Sequence, residues 1–405
     1  MTKVFYEPAA TKGGFFAVDS RIWPKICELG MNEPVAYLVQ ARGTGRDNRT
    51  TTWSVESIER YTGISRHRAA AAVKNLQAKG FTRLLRGGTK PKYELIPYAD
   101  PIKTVRKELS RFEQYVVDRI ARGEELNEPR EKQAAYRAAT KGWLAADGTG
   151  RLAIASEPKA DADWIWLPNE LVTGALGEIP PLELVRQTQD PMTLRLLVEM
   201  YYAQHLREDG GVSRRFMRMS YNRVKVGEHA QFTVWGFYGG TEWVFWDNSL
   251  ASPHRREKLT QEELAAKKTP AVDFFHRTAQ LSNLGLIEWV PHLVESAEES
   301  GEIIHPLQTG TSETIEDRLR RAAHEAGRAL VTEGQYAWTV KNGIDQLVPV
   351  PRHIANVQMI GIARLRYRPH TKMTSAWWAD LNANAEKHLA RYAEIAARQN
   401  TRIAV

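Results

Sequence analysis

The chain has 405 residues, 42% of them hydrophobic and 26% charged, with a formal net charge of +8. This is the profile of a folded protein of two or three domains. It has no apolar run of the ~18 residues that span a membrane, and its single cysteine, Cys27, allows neither an internal disulfide nor a cysteine zinc cluster.

Residues Met1–Glu7 lack the long apolar core of a secretory signal, so a reducing cytosol is the expected compartment. Phe15-Phe16-Ala17-Val18-Asp19 predicts a short extended segment. Pro34 with Val35, Leu38 and Val39 predicts a helix over 34–42, followed by a polar loop from Gly43 to Arg49 that can touch a phosphate backbone. Two helices are expected in quick succession, from Ser54 to Tyr61 and from Arg66 to Lys79, the second stopped by Gly80. Phe81–Arg86, the Gly87-Gly88-Thr89 turn and Lys92–Ile96 read as a hairpin. Ile102, Val105, Leu109, Phe112, Val116 and Ile120 recur three and four apart. They predict an amphipathic helix over 101–121, packed on its own domain or against a second copy in a homodimer. A charged hinge and a helix over 130–146 follow.

Residues 164–295 echo the first unit. Trp164-Ile165-Trp166-Leu167-Pro168 matches 15–19, and Pro191 opens a helix as Pro34 does. Leu281 and Leu76 each stand four residues before a helix-ending glycine, Gly285 and Gly80. Between these landmarks, Phe232–Tyr238 and Glu242–Trp246 flank Gly239-Gly240 and read as a hairpin. Its aromatics at strand spacing suit a core better than a base-stacking platform. The last part predicts a charged helix at 313–331, strands within 336–368 and a helix at 374–399 anchored by Trp377-Trp378.

Charge is unevenly distributed. Residues 1–97 hold sixteen Lys and Arg against eight Asp and Glu, while the remaining forty of each sign cancel. A basic segment on a neutral body is the electrostatic footprint of a nucleic-acid reader.

Three helices followed by a two-stranded wing, with Thr62-Gly63-Ile64-Ser65 as the short turn between the second and third helices, is the plan of a helix-turn-helix. The run Ser54–Arg68 resembles bacterial winged-helix DNA-binding proteins, and the resemblance covers about 33–97. It implies that the third helix enters the major groove. Ala69, Ala72, Val73 and Leu76 share an inward face, which leaves small residues with Lys74 and Asn75 outward. Ser54 and Ser65 are placed to cap helices. Arg66, His67 and Arg68 crowd a first turn where the helix dipole disfavours cations by ~0.3–1 kcal/mol each, a cost that a phosphate partner offsets. Arg83, Arg86, Lys90 and Lys92 suit a wing on the minor groove or backbone.

The second unit is less basic, with fifteen cations against eighteen acids in residues 158–296. Its third helix, expected at 270–284, offers His276, Arg277, Gln280 and Asn283. Arg214, Arg215, Arg218, Arg223 and Lys225 form one acid-free run, either a second DNA contact or part of a protein-binding face.

No Gly-x-x-x-x-Gly-Lys loop, His-Glu-x-x-His helix or His-x-His pair is present. His254, His276, His292 and His305 read as structural or surface residues, and Glu262-Glu263 as a cap after Thr260. The chain is therefore expected to be no enzyme and to need no cofactor or metal. The expected fold is α+β and helix-rich. It comprises a winged helix-turn-helix at 1–97, a helical linker or dimerisation segment at 98–157, a second winged-helix-like domain at 158–300 and a C-terminal α/β extension at 301–405. The expected function is sequence-specific binding of double-stranded DNA in the nucleoid, as a transcriptional regulator. The tandem plan also resembles plasmid- or phage-type replication initiators. A third reading is a DNA-tethered adaptor with a protein partner on residues 158–405.

Overall fold

The computed structural model describes residues 14–97, 109–141, 143–146, 152–154, 163–175, 177–245, 250–255, 273–296, 301–308, 314–368 and 372–403. They form a mixed α+β protein whose sheets are antiparallel. The chain divides into two compact units, a larger one of residues 1–95 with 164–405 and a smaller one of residues 96–163.

β1 (Phe15–Asp19) buries Phe16 through Asp19, and the buried Asp19 carboxylate is met by Nε and Nη2 of Arg21 at 3.0 and 2.7 Å. α1 (Trp23–Cys27) adds Trp23 and Ile26 to the core. α2 (Asn32–Arg42) buries every residue from Pro34 to Ala41, as a helix surrounded by others must. Next come β2 (Thr50–Thr51), α3 (Val55–Thr62), α4 (Arg66–Ala78), β3 (Thr82–Arg86) and β4 (Lys92–Leu95). β4 lies between β2 and β3 in a three-stranded sheet.

In the smaller unit, α5 (Arg111–Ala121) packs on α6 (Pro129–Thr140), and β5 (Leu144–Ala146) pairs with β6 (Leu152–Ile154). Residues 101–108 of the expected amphipathic helix, Ile102 and Val105 among them, lie outside the described residues. Leu109, Phe112, Val116 and Ile120 pack in one cluster with Ala134, Ala135 and Ala138. The face read as a dimer seam is thus engaged within its own unit. The helix expected to reach 146 ends at Thr140, where Lys141 bonds Glu113 at 2.7 Å, and the chain turns into β5.

β7 (Trp164–Pro168) pairs antiparallel with β1, with Ala17 opposite Trp166. α7 (Glu170–Thr173), α8 (Pro181–Arg186) and α9 (Pro191–Tyr202) follow. α8 is tied to the first repeat by Arg186 Nε, which donates to the Thr62 carbonyl at 3.1 Å, and α9 by Trp23 Nε1, which donates to the Arg195 carbonyl at 3.4 Å. After the short β8 (Gln204–His205) and β9 (Gly211–Val212) come β10 (Met217–His229), β11 (Phe232–Val244), α10 (Phe274–Asn283), β12 (Ile287–Val294) and β13 (Ile303–Pro306). The chain ends with α11 (Ile315–Ala329), α12 (Glu333–Lys341), β14 (Gln346–Pro351), β15 (Gln358–Leu365) and α13 (Lys372–Ile403). The six-stranded sheet runs β13-β12-β15-β10-β11-β14. β15 sits between β12, the strand that follows α10, and β10, while β4 sits between β2 and β3. The strand that follows β3 is thus central in its sheet, whereas β13, which follows β12, lies at the edge of the larger sheet. Glu262-Glu263 and Thr260 lie outside the described residues.

Three readings are corrected. Gly239-Gly240 is not a hairpin turn, because β11 runs through it. Ser220 pairs with Thr241 and Asn222 with Tyr238, so the two glycines face Tyr221 alone. Gly239, at φ 60°, takes up the extra residue as a bulge. The turn is Ala230-Gln231, between His229 and Phe232. Residues 333–341 are helix rather than strand, held by the Thr332–Gln335 capping box. The residues read as a separate C-terminal extension supply β13, β14 and β15 to the sheet of β10, β11 and β12, since β15 buries seven of its eight residues and needs a strand on each side. α11 and α13 cover that sheet, with Leu319, Ala323 and Tyr392 against Phe237, Val348 and Met359.

Arg364, 1% exposed, crosses this interior. Its Nη1 donates to both Glu316 carboxylate oxygens at 2.6 and 2.9 Å, its Nη2 lies 3.1 Å from His292 Nε2, and its guanidinium lies over Trp377. Removing one partner of a buried pair leaves the other charge uncompensated. Glu316→Gln is expected to lower unfolding stability by about 3–5 kcal/mol in urea titration, and an unchanged midpoint would contradict this role of the pair.

Candidate nucleic-acid interface

The geometry of the helical turn follows from three residues. Thr62 is buried; its hydroxyl donates to the Ile58 carbonyl at 2.5 Å and accepts from the Ile64 amide at 3.3 Å. Gly63, at φ 63°, donates its amide to the Glu59 carbonyl and ends α3 in the left-handed region. Ile64, 3% exposed, anchors the turn in the core. Ser54 and Ser65 stand at the N-caps of α3 and α4, though neither hydroxyl makes a capping bond. Trp53 stacks on Tyr61 at 4.9 Å and Arg42 lies over the Trp53 ring, which fixes the segment after β2 against α3.

α4 buries Ala69, Ala72, Val73 and Leu76, as their spacing predicts. Arg66, His67, Arg68, Ala70, Ala71, Lys74 and Ala78 are exposed, as is Ser65 before them, and Asn75 and Gln77 are half-buried. Among the described residues, the side chains of Arg66, His67, Arg68 and Lys74 take no hydrogen bond or ion pair. Two arginines without acidic partners thus stand where the helix dipole is least favourable to them. Asn75 differs from its neighbours: its amide donates to Glu33 of α2 at 2.9 Å, so it braces α4 to α2.

In the hairpin, Arg83 is paired across the strands with Glu94 at 2.5 Å, and Arg86 donates to the Lys90 carbonyl at 3.3 Å. Lys90 and Lys92 are exposed. The loop before β2 is shaped by Asp47, whose carboxylate accepts from the Arg49 and Thr50 amides at 3.2 Å.

The run from Arg214 to Lys225 does not gather into one cationic face. Arg214 is 7% exposed, with its Nε 3.0 Å from Asp209. Arg218 lies over Phe245, Arg223 lies over Trp235 and donates to the Val357 carbonyl, and Lys225 pairs with Glu228. Arg215 is exposed. These residues sit on or just before β10, where successive side chains point to opposite faces of the sheet, so adjacency in sequence does not become adjacency in space.

α10, read from sequence as the counterpart of α4, turns Arg277 and Gln280 toward the start of α9. Arg277 binds Asp190 at 2.6 Å and lies 3.0 Å from His254 Nδ1, while Gln280 accepts from Thr193 at 2.9 Å. His276 and Asn283 are exposed. Burial, with Arg277 beside it, pushes the His254 imidazole down to about 3. Burial likewise lowers His292, and pushes His305, whose Nε2 lies 2.7 Å from the Tyr392 hydroxyl, down to about 3. These histidines are neutral core groups at pH 7. Among the described residues no group of His, Cys, Asp and Glu is arranged to hold a metal ion. None of their helices is long and apolar enough to cross a membrane.

Sequence reasoning passed over Glu33 and Glu94, which occupy Asn75 and Arg83, and Leu84 and Leu85, each 47% exposed. The adjacency of two leucines in a short strand was the available signal, because a strand on a core hides only one of two neighbours. No protein-family model, curated protein or solved structure matches the chain.

A Cβ added to Gly63 meets nothing within 4 Å, so substitution there is opposed by backbone conformation alone. Gly63→Ala is expected to cost about 1–2 kcal/mol and Gly63→Asn clearly less, measured as thermal midpoints. Equal midpoints for the two variants would contradict the left-handed turn.

Proposed function

We propose that the protein binds double-stranded DNA through residues 32–95, as a winged helix-turn-helix. α4 is the helix that enters the major groove, and the β3–β4 hairpin is the wing. The observation that carries this reading is the first turn of α4. Arg66 and Arg68 are exposed, unpaired among the described residues and unfavourably placed against the helix dipole, and Lys74 continues the same polar surface. The exposed Ala70, Ala71 and Ala78 leave room for base edges to approach the helix. A duplex supplies the missing counter-charge, with phosphates for the arginines and a groove for the helix.

The biological role proposed is sequence-specific control of transcription at DNA in the nucleoid. The echo of 15–19 in 164–168, with Pro34 and Pro191 each at the start of a helix, favours a second reading, a replication initiator of plasmid or phage type. The engaged side chains of α10 support a single reading head in either case. Mapping of bound DNA across the genome separates the two roles, since a regulator collects at promoters and an initiator at an origin.

Arg66→Ala/Arg68→Ala/Lys74→Ala is expected to abolish binding to duplexes enriched from a random pool by the wild-type protein, with unchanged circular dichroism. Unchanged affinity in fluorescence anisotropy would sink the proposal. Lys90→Ala/Lys92→Ala is expected to weaken binding to all sequences alike and to lower the slope of log K against log salt by about 0.9 for each phosphate that the variant no longer neutralises. A slope equal to wild type removes the wing from the interface.

A further inference from the structure

The β3–β4 hairpin combines two features that the cationic reading does not use together. Leu84 and Leu85 are each 47% exposed, although neighbouring residues of a strand point to opposite faces and a hairpin lying on a core hides one of them. Only Thr82 of β3 is buried. The register also breaks at this point. Leu84 pairs with Tyr93 and Arg86 with Lys92, so Leu85 is the extra residue of a bulge, a device that redirects a side chain. Around the two leucines stand Arg83, Arg86, Lys90 and Lys92, and Phe81–Tyr93 contains no acid. The nearest carboxylate, Glu94, is held by Arg83. Single exposed apolar residues are ordinary; an adjacent pair on a bulged strand, ringed by cations and with Gly87-Gly88 beyond it, is not.

We infer that Leu84 and Leu85 are an apolar wedge that the wing presses into the minor groove, where it unstacks a base step and bends the duplex. This rests on the DNA-binding reading above and adds to it. The cations fix the hairpin on the phosphates, and the leucines meet sugars and base edges. Charge decides the partner, since a hairpin of this composition suits a polyanion with an apolar interior, which a duplex is once a step is opened.

The test uses the full chain and 40-base-pair duplexes enriched from a random pool by the wild-type protein, labelled at both ends. Leu84→Thr/Leu85→Thr removes the apolar bulk and keeps strand-forming residues in place. The double variant is expected to bind about tenfold more weakly and to lose the end-to-end energy-transfer change that reports bending. It is expected to keep the wild-type salt slope, because every cation remains. Leu84→Met/Leu85→Met is expected to restore affinity and bend. The inference is overturned if the threonine variant bends the duplex as the wild type does. It is equally overturned if those substitutions abolish a self-association of the DNA-free protein, seen in sedimentation, while the bend persists. Failure of the wild type to bind any duplex would remove the DNA reading and the wedge together, whereas binding to a straight duplex removes the wedge alone.

Discussion

Five residue pairs between β1 and β7, from Phe15 opposite Pro168 to Asp19 opposite Trp164, hold together parts of the chain that are nearly 150 residues apart in sequence. The pairing closes only because both segments bury what flanks it: Phe16 and Val18 on one strand, Ile165 and Leu167 on the other. It brings the helices of the first repeat within reach of those of the second, where Trp23 bonds the backbone of α9 and Arg186 of α8 bonds the end of α3. The helical turn that presents α4 is therefore supported from outside its own repeat. Residues 96–163 form the second compact unit.

On this frame α4 and α10 differ in how their polar side chains are engaged. In the first repeat, the polar residues that crowd the start of α4 face solvent, while Glu33 braces Asn75 and Glu94 pairs with Arg83 on the hairpin. In the second, the equivalent helix spends Arg277 on Asp190 and Gln280 on Thr193, both contacts reaching back to the start of α9. Arg214, Arg223 and Lys225 are likewise engaged. A buried or paired guanidinium is poorly placed to exchange its partner for a phosphate, because its desolvation has already been compensated locally. The asymmetry in net charge along the chain thus has a structural counterpart in which cations are left available.

How much of this was legible in sequence depended on how local each cause is. α2, α3, α4 and the β3–β4 hairpin follow from apolar spacing interrupted by Gly63, Gly80 and Gly87-Gly88, signals that act within a few residues. The echo of 15–19 in 164–168 was visible as composition, and its meaning, direct pairing, was not. Gly239-Gly240 suits a turn and a bulge equally well, and the choice is made by β10, which supplies a partner for all of β11. Residues 336–341 are rich in strand formers, yet Thr332 and Gln335 close a helix upstream of them. The fate of Arg223 was hidden because Trp235 and Val357 are brought to it only by the sheet. Of the residues proposed to meet DNA, those on α4 are exposed as expected, except Asn75, whose partner lies 42 residues earlier.

The central claim is that one helix and one hairpin read DNA while their counterparts in the second repeat do not. Amide hydrogen exchange, followed along the chain with and without an enriched duplex, tests it most directly, since bound segments slow their local opening. The account predicts added protection at the start of α4 and in the β3–β4 hairpin, and none in α10. Equal protection of α10, or none in α4, would contradict it.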